Sequence, residues 1–190
     1  MRIFLLLLVA LNFFLLHVQA QENYITRNGQ ISFFSSTPIE DIKAINNEVA
    51  SAFNSKTGGI QFIVLIKKFQ FRNASMQNHF NEKEYMHSDL YPKAELKGTI
   101  TNLNKIDFTK DGTYATTVEG TLTMHGVSNK IKAAGTIIIL AGTITATSVF
   151  NIKLADYKIN VPSIVTIKIA EQVEVKLNCK YQLYQPKIKQ

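Results

Sequence analysis

Between Val173 and Leu183 the chain alternates apolar and polar side chains without interruption: Val173, Val175, Leu177, Cys179, Tyr181 and Leu183 against Glu174, Lys176, Asn178, Lys180 and Gln182. A period of two puts one set on each face of an extended strand, whereas a helix would scatter the same residues around its axis. The fold must therefore give this strand an apolar interior on one side and water on the other. Segments of similar character recur at Gln30 to Ser36, Ile60 to Phe71, Glu95 to Leu103, Tyr114 to Met124, Ile131 to Leu140, Thr143 to Leu154 and Ile164 to Ile169, all rich in Ile, Val, Thr and aromatics. Turn signals at Asn28-Gly29, Lys110-Asp111-Gly112 and Ala141-Gly142 separate several of them. About eight short strands in succession predict an all-β fold, an antiparallel sandwich or barrel. With 190 residues, 46% of them apolar and 18% charged, the chain can fill the core of one such domain.

Two segments depart from this pattern. In Pro38 to Asn54, the residues Ile39, Ile42, Ile45, Val49, Ala52 and Phe53 recur at near-helical spacing and predict a short helix or helical turn. Ala74 to His87 predicts a second helix, with Met76, Phe80 and Met86 on one side, Asn73 or Ser75 as its N-cap, and an end before Tyr91-Pro92.

The first twenty residues, Met1 to Ala20, have one positive charge at Arg2, an apolar run from Ile3 to Leu16 and a small residue, Ala20, at the end. This is the form of a secretory signal peptide cleaved after Ala20, and the run is shorter than the roughly 20 residues a membrane-spanning helix needs. The expected organisation is a signal peptide over 1–20 and one β-domain over 21–190, exported to the periplasm or, where the host has no outer membrane, to the outside. Lys and Arg exceed Asp and Glu by 21 to 14, giving a formal charge of +7. Lys132, Lys153, Lys168 and Lys176 are scattered through strand-like alternations, so they read as a solvated outer face and not as a nucleic-acid footprint, and transient contact with a membrane surface suits an exported cation.

Few residues could carry chemistry. His79 and Glu82 are three apart on one face of the predicted helix, a spacing that two metal ligands can use, but no third ligand follows them at a fitting interval. The single cysteine, Cys179, lies in the apolar register of a strand, where a thiol behaves as a small hydrophobe, and one thiol makes no disulfide framework. The sequence has no G-x-S-x-G elbow, Thr57-Gly58-Gly59 reads as a plain turn, and the carboxylates Glu82 with Glu84 and Asp107 with Asp111 read as surface pairs. Asn73-Ala74-Ser75 fits the glycosylation triplet. No catalytic set and no metal site emerge. What remains is a surplus of aromatics for a small closed sheet, with Phe33, Phe62, Phe69, Phe71, Phe80 and Phe150 in the strands and the helix. With Met76 they are the expected wall of an interior wide enough for one slender apolar ligand.

Two longer stretches resemble signatures of a known family. Met76-Gln77-Asn78-His79-Phe80-Asn81-Glu82-Lys83-Glu84-Tyr85-Met86, running on to Tyr91-Pro92-Lys93-Ala94-Glu95-Leu96-Lys97-Gly98, resembles the central signature of the YceI-like family. Gly120-Thr121-Leu122-Thr123-Met124-His125-Gly126-Val127-Ser128 is similar to its second, a strand running into a His-Gly turn. Ile31 to Ser36, and Phe150-Asn151-Ile152 through Asp156-Tyr157, fit the same layout, so the resemblance covers nearly the whole chain after Ala20.

The resemblance implies an extended lipocalin-like antiparallel β-barrel of about eight strands, helical insertions near one end, and an apolar tunnel holding a polyisoprenoid such as an isoprenoid quinone. No enzymatic activity is firmly attached to the family's fold; no cofactor is expected to be required, a bound isoprenoid lipid or quinone suits the tunnel, and a monomer or homodimer is expected. His79-Phe80 match the family's His-Leu pair, Tyr91-Pro92 its Tyr-Pro, and His125-Gly126 its His-Gly. Many members carry Arg-Asp where this chain has Gln77-Asn78, a charge pair suited to orienting a head group. The expected ligand contacts are then the aromatic wall with Leu122 and Met124, and Asn78, His79 and His125 at the mouth. Two other readings stand beside this one: an enzyme acting on such lipids through His79 and Glu82, and an envelope stress protein that binds no ligand.

Overall fold

The computed structural model describes residues 23–159 and 169–185. The expected signal peptide over 1–20 lies outside the described residues, as does the expected strand Ile164 to Ile169 apart from its last residue.

Strand β1 (Asn23–Ser36) turns back through Thr37 to Glu40 into β2 (Asp41–Asn54), and β3 (Gly59–Leu65) follows a tight turn. A 3-10 turn (Ile66–Lys68), the short β4 (Gln70–Phe71) and the helix α1 (Ala74–Asn81) then lead to β5 (Lys93–Ile100). Long strands β6 (Gly112–Met124), β7 (Val127–Leu140) and β8 (Thr143–Lys153), a second 3-10 turn (Leu154–Tyr157) and β9 (Gln172–Leu183) complete the described chain. All pairings are antiparallel, in the order β1-β9-β8-β7-β6-β5-β3-β2, and β2 pairs with β1 to close a ring of 8 strands. Closure removes the open sheet edges that would otherwise template aggregation. After the 3-10 turn β4 takes up the edge of β2 that β3 leaves, through Ala44 with Phe71 and Ile45 with Gln70.

Two hairpin turns follow directly from sequence. Ala141-Gly142 joins β7 to β8 and His125-Gly126 joins β6 to β7, with φ of 48° and 73° in the first and 50° and 74° in the second. Positive φ at both central residues defines the type I′ turn, whose twist matches that of paired strands.

The expected helix at Pro38 to Asn54 is instead β2. Ala44, Asn46, Val49, Ser51 and Phe53 are its buried positions, and the step of three between Asn46 and Val49 coincides with a register shift against β1. A β-bulge inserts one residue into an alternating strand and shifts its buried positions by one, and the apolar Ile45 and Ala52 that contribute to the helical spacing lie off the buried face. Buried Asn46 anchors the bulge, its Nδ2 donating to the Leu65 carbonyl at 3.0 Å and its Oδ1 accepting from the Glu48 N–H at 2.8 Å. Asn28-Gly29, expected as a turn, is the matching irregularity inside β1, which begins at Asn23. The expected strand Ile60 to Phe71 is broken by the 3-10 turn at Ile66. The expected helix Ala74 to His87 stops at Asn81, because Glu82, Lys83 and Glu84 are exposed and the chain folds back until the Met86 N–H meets the Phe80 carbonyl at 3.1 Å. Asn73 caps it as expected, accepting from the Ser75 N–H at 2.8 Å.

The barrel has two unlike ends. At the hairpin end Phe53 stacks on Tyr24 with centroids 4.9 Å apart and meets Tyr181 edge-on at 4.9 Å and Phe108 at 5.9 Å. Buried Ser51 Oγ and Tyr181 Oη share a hydrogen bond of 2.7 Å there, and this part of the interior is solid. The other end carries the β1–β2 turn, α1 and the 3-10 turn Leu154–Tyr157.

Candidate functional site

Inward side chains fill the hairpin end but leave a cavity of about 620 Å³ in the part of the barrel nearer α1. That volume lies in the usual range for a site that encloses a small organic ligand. Its wall is built by strand alternation: Ile60, Phe62 and Val64 from β3, Val118, Leu122 and Met124 from β6, Phe150 and Ile152 from β8, Val173, Val175 and Leu177 from β9.

Most of the residues expected from sequence meet on this wall. Phe33, Phe62, Phe69, Phe71, Met76, His79, Phe80, Leu122, Met124 and Phe150 all line the cavity. Phe33, Phe69, Phe71 and Phe80 form one cluster, with centroid separations from 5.0 Å for Phe71 and Phe80 to 5.8 Å for Phe33 and Phe71. The helix reaches this cluster because Met76, His79 and Phe80 project from one side, one turn apart. Gln77 ties α1 to β4, its Oε1 accepting from the Phe71 N–H at 3.2 Å.

Two expected contacts lie elsewhere. Asn78 is exposed and off the cavity wall: at about 100° of helix rotation per residue, the turn that aims Met76 and Phe80 inward aims Asn78 away. His125 is also off the wall. Its turn stands outside the strand register, its Nδ1–H donates to the Tyr157 carbonyl at 3.0 Å, and its ring meets Tyr91 edge-on at 4.6 Å. His125 thus joins two loops instead of offering a hydrogen bond to a ligand.

The polar wall groups divide between two places. Ser35, Glu40, His79 and Tyr85 belong to the end with α1, and Thr116, Thr136, Thr147 and Ser148 to the side formed by β6, β7 and β8. Ser35 is buried and its Oγ accepts from the Ala170 N–H at 2.9 Å. His79 Nδ1 and Glu82 Oε2 are 3.0 Å apart, but the two side chains are 59% and 47% exposed, so water screens the pair. Ser35 reaches the cavity through the alternation of β1, two residues after Phe33, and Glu40, which belongs to no motif, is carried there by the β1–β2 turn. Among the described residues no three His, Cys, Asp or Glu side chains gather as a metal site would need. Cys179 has no surface exposure, and burial pushes its thiol up to about 12, which keeps it protonated.

The profile of the YceI-like domain family matches residues 18–181. No curated protein matches the chain in sequence. Among solved structures, a polyisoprenoid binding domain from Saccharophagus degradans implicated in plant cell wall breakdown superposes with a TM-score of 0.72 at 14% identity, over 86% of this chain and 99% of that one. BcnA of Burkholderia cenocepacia gives 0.67 at 16% identity, over 81% and 96%. A Campylobacter jejuni YCEI protein gives 0.54 at 18% identity, over 67% and 75%. At these identities the likeness is one of fold.

Proposed function

Since this chain belongs to the YceI-like domain family, we propose that it is a non-enzymatic carrier or store that holds a long apolar isoprenoid-type lipid, such as an isoprenoid quinone or a polyprenyl amphiphile, in its barrel. The observation that carries the reading is the cavity of about 620 Å³, whose wall is drawn mainly from Ile, Val, Leu, Met and Phe on strands that could have filled it. A tail that loses roughly 400 Å² of apolar surface gains about 10 kcal/mol, enough to exceed many estimates of association cost with few polar contacts. The head group belongs at the α1 end, where Ser35, Glu40, His79 and Tyr85 supply hydroxyl, carboxylate, imidazole and phenol. The solved Saccharophagus degradans domain that shares the fold is described as polyisoprenoid binding, which supports the same ligand class here. The signal-like segment 1–20 supports export, and the net charge of +7 supports transient contact with a membrane surface during exchange.

Solvent extraction of the purified protein followed by mass spectrometry is the test, with an unrelated exported protein as control. A stoichiometric isoprenoid species is expected, and Phe80→Glu in a folded protein is expected to abolish its retention. A clean extract, repeated after incubation with host membranes, would overturn the reading. Turnover of a lipid ester panel that disappears in His79→Ala would favour the enzymatic alternative through His79 and Glu82.

A further inference from the structure

β7 pairs with β6 along its whole length, from Ile139 with Gly112 to Val127 with Met124, and β8 pairs with β9 from Ile144 to Lys153. Between themselves β7 and β8 pair only from Leu140 with Thr143 to Gly135 with Ser148. Beyond that last rung, among the described residues, the two strands part. The carbonyl of Ala134, next along β7, accepts a hydrogen bond of 2.6 Å from Ser148 Oγ, so a side chain satisfies it in place of a strand. Farther up, the 3-10 turn spans the gap, with Asn129 Nδ2 donating to the Asp156 carbonyl at 2.6 Å and His125 holding Tyr157.

The cavity reaches into this gap. Its wall includes the consecutive residues Ala133, Ala134, Gly135, Thr136 and Ile137 of β7, and Ala146, Thr147 and Ser148 of β8. Gly135 has no side chain and Ala133 and Ala134 have small ones, so the cavity reaches the backbone of β7 at the last rung with β8 and just beyond it. Ala133, Gly135 and Ile137 face the interior, and Ala134 and Thr136 face outward. The side chains at the breach are Ala, Gly, Ser and Thr, whereas both ends of the barrel hold packed rings: Tyr24, Phe53, Phe108 and Tyr181 at one, Phe33, Phe69, Phe71 and Phe80 at the other. Leaving by an end means parting aromatic contacts, each worth about 0.5–1.5 kcal/mol beyond its area. Leaving by the side means parting almost none. On the outer face Ala134 and Val149 stand just beyond the last rung, and the exposed Lys132 and Asn151 follow them along the two strands.

We propose that the apolar tail enters and leaves the cavity sideways, through the gap between β7 and β8 beside the Gly135–Ser148 rung. The proposal rests on the lipid-binding reading above and adds the route to it. A route controls rates and not the equilibrium, so narrowing it slows association and dissociation alike and leaves Kd in place.

The test uses cis-parinaric acid, an apolar polyene whose fluorescence rises on burial, with stopped-flow rates and an equilibrium titration on the same samples. Ala134→Cys with Val149→Cys places one thiol on each outer lip; Cys179 is buried and protonated and stays out of the oxidation. Oxidation of the pair is expected to slow both rates about tenfold with Kd changed less than twofold, and dithiothreitol is expected to restore them. Ala134→Trp, which needs no bond to form, is expected to slow both rates in the same sense. Unchanged rates in the oxidised pair and in Ala134→Trp would overturn the proposal while the lipid-binding reading stands. So would slowing confined to Glu40→Trp, at the α1 end. Failure of the wild-type protein to bind the probe would overturn the lipid-binding reading and the proposal with it.

Discussion

Gly29 is buried in the bulge of β1, and a Cβ there would overlap Cys179 Sγ and come within 3.2 Å of the Val49 carbonyl oxygen. The pair is a small-residue fit: the thiol fills the space that glycine leaves. Gly29→Ala is expected to cost about 2–3 kcal/mol in urea unfolding, from overpacking against a closed sheet. Cys179→Ala alone is expected to cost about 1–2 kcal/mol, from lost packing. The double variant is expected to be at least 1 kcal/mol more stable than the sum of the two predicts, because the methyl of one enters the space of the other; strict additivity would refute the contact. Cys179 also has a pH signature. Burial pushes its thiol up to about 12 from 9.0, so between those values the unfolded chain gives up the proton first. The stability that the protonated thiol contributes is complete below pH 9 and drains as pH rises towards 12. The gap in unfolding free energy between wild type and Cys179→Ala is therefore expected to narrow by about 1 kcal/mol from pH 9 to pH 10. At this scale the sequence was informative: the alternation alone assigned Cys179 to the buried face of β9, while the partner at Gly29 depends on a bulge that no local pattern marks.

The elements were legible where period and turn chemistry agree, and obscured where a bulge intervenes. Strand β9, the Ala141-Gly142 turn and the cap at Asn73 stand where sequence places them. In β2 the apolar residues do not mark the buried face: Ile45 and Ala52 lie off it, whereas the polar Asn46 and Ser51 lie on it, so the spacing of apolar residues imitates a helix. The turn at His125-Gly126 packs against Tyr91 and bonds to Tyr157. A Cβ on Gly126, where φ is 74°, would come within 2.7 Å of Tyr91 Cε1, so Gly126→Ala is expected to cost about 2 kcal/mol or more in urea unfolding. His125→Ala removes the only side-chain bond that the Tyr157 carbonyl receives from that turn, and an unmatched carbonyl costs about 1–3 kcal/mol unless it reaches water. The expected response is local: faster amide exchange over 125–129 and 154–159, with β1, β2 and β9 unchanged. Uniform acceleration across the barrel would mean that this histidine supports the whole fold and not the frame of the side opening.

For the molecule as a whole, the question sequence cannot answer is whether the inward set fills the barrel or lines a hollow. The same Phe, Ile and Val residues do both jobs, and the outcome depends on strand number, register and the distribution of small inward residues, which are properties of the closed ring. Here Ala133, Gly135 and Ala146 thin the inner surface of β7 and β8, while Phe53, Ile139, Ile144 and Tyr181 crowd the hairpin end. A hollow interior makes the ligand part of the core, so the lipid-stripped protein is expected to melt lower than the loaded one. At ligand 100-fold above Kd the gain is about 2.7 kcal/mol, or roughly 5–10 °C for a domain of this size. Ala133→Leu separates the two interiors. Ala133 is buried and faces the cavity, so in a hollow barrel the added side chain fills space, raises the melting temperature of the stripped protein by a few degrees and shrinks the ligand-dependent shift. In a filled barrel the same change would overpack the core, lower the melting temperature and leave no shift to shrink. Melting curves of wild type and Ala133→Leu, each stripped and reloaded with geranylgeraniol, therefore read the state of the interior from the sign of one difference.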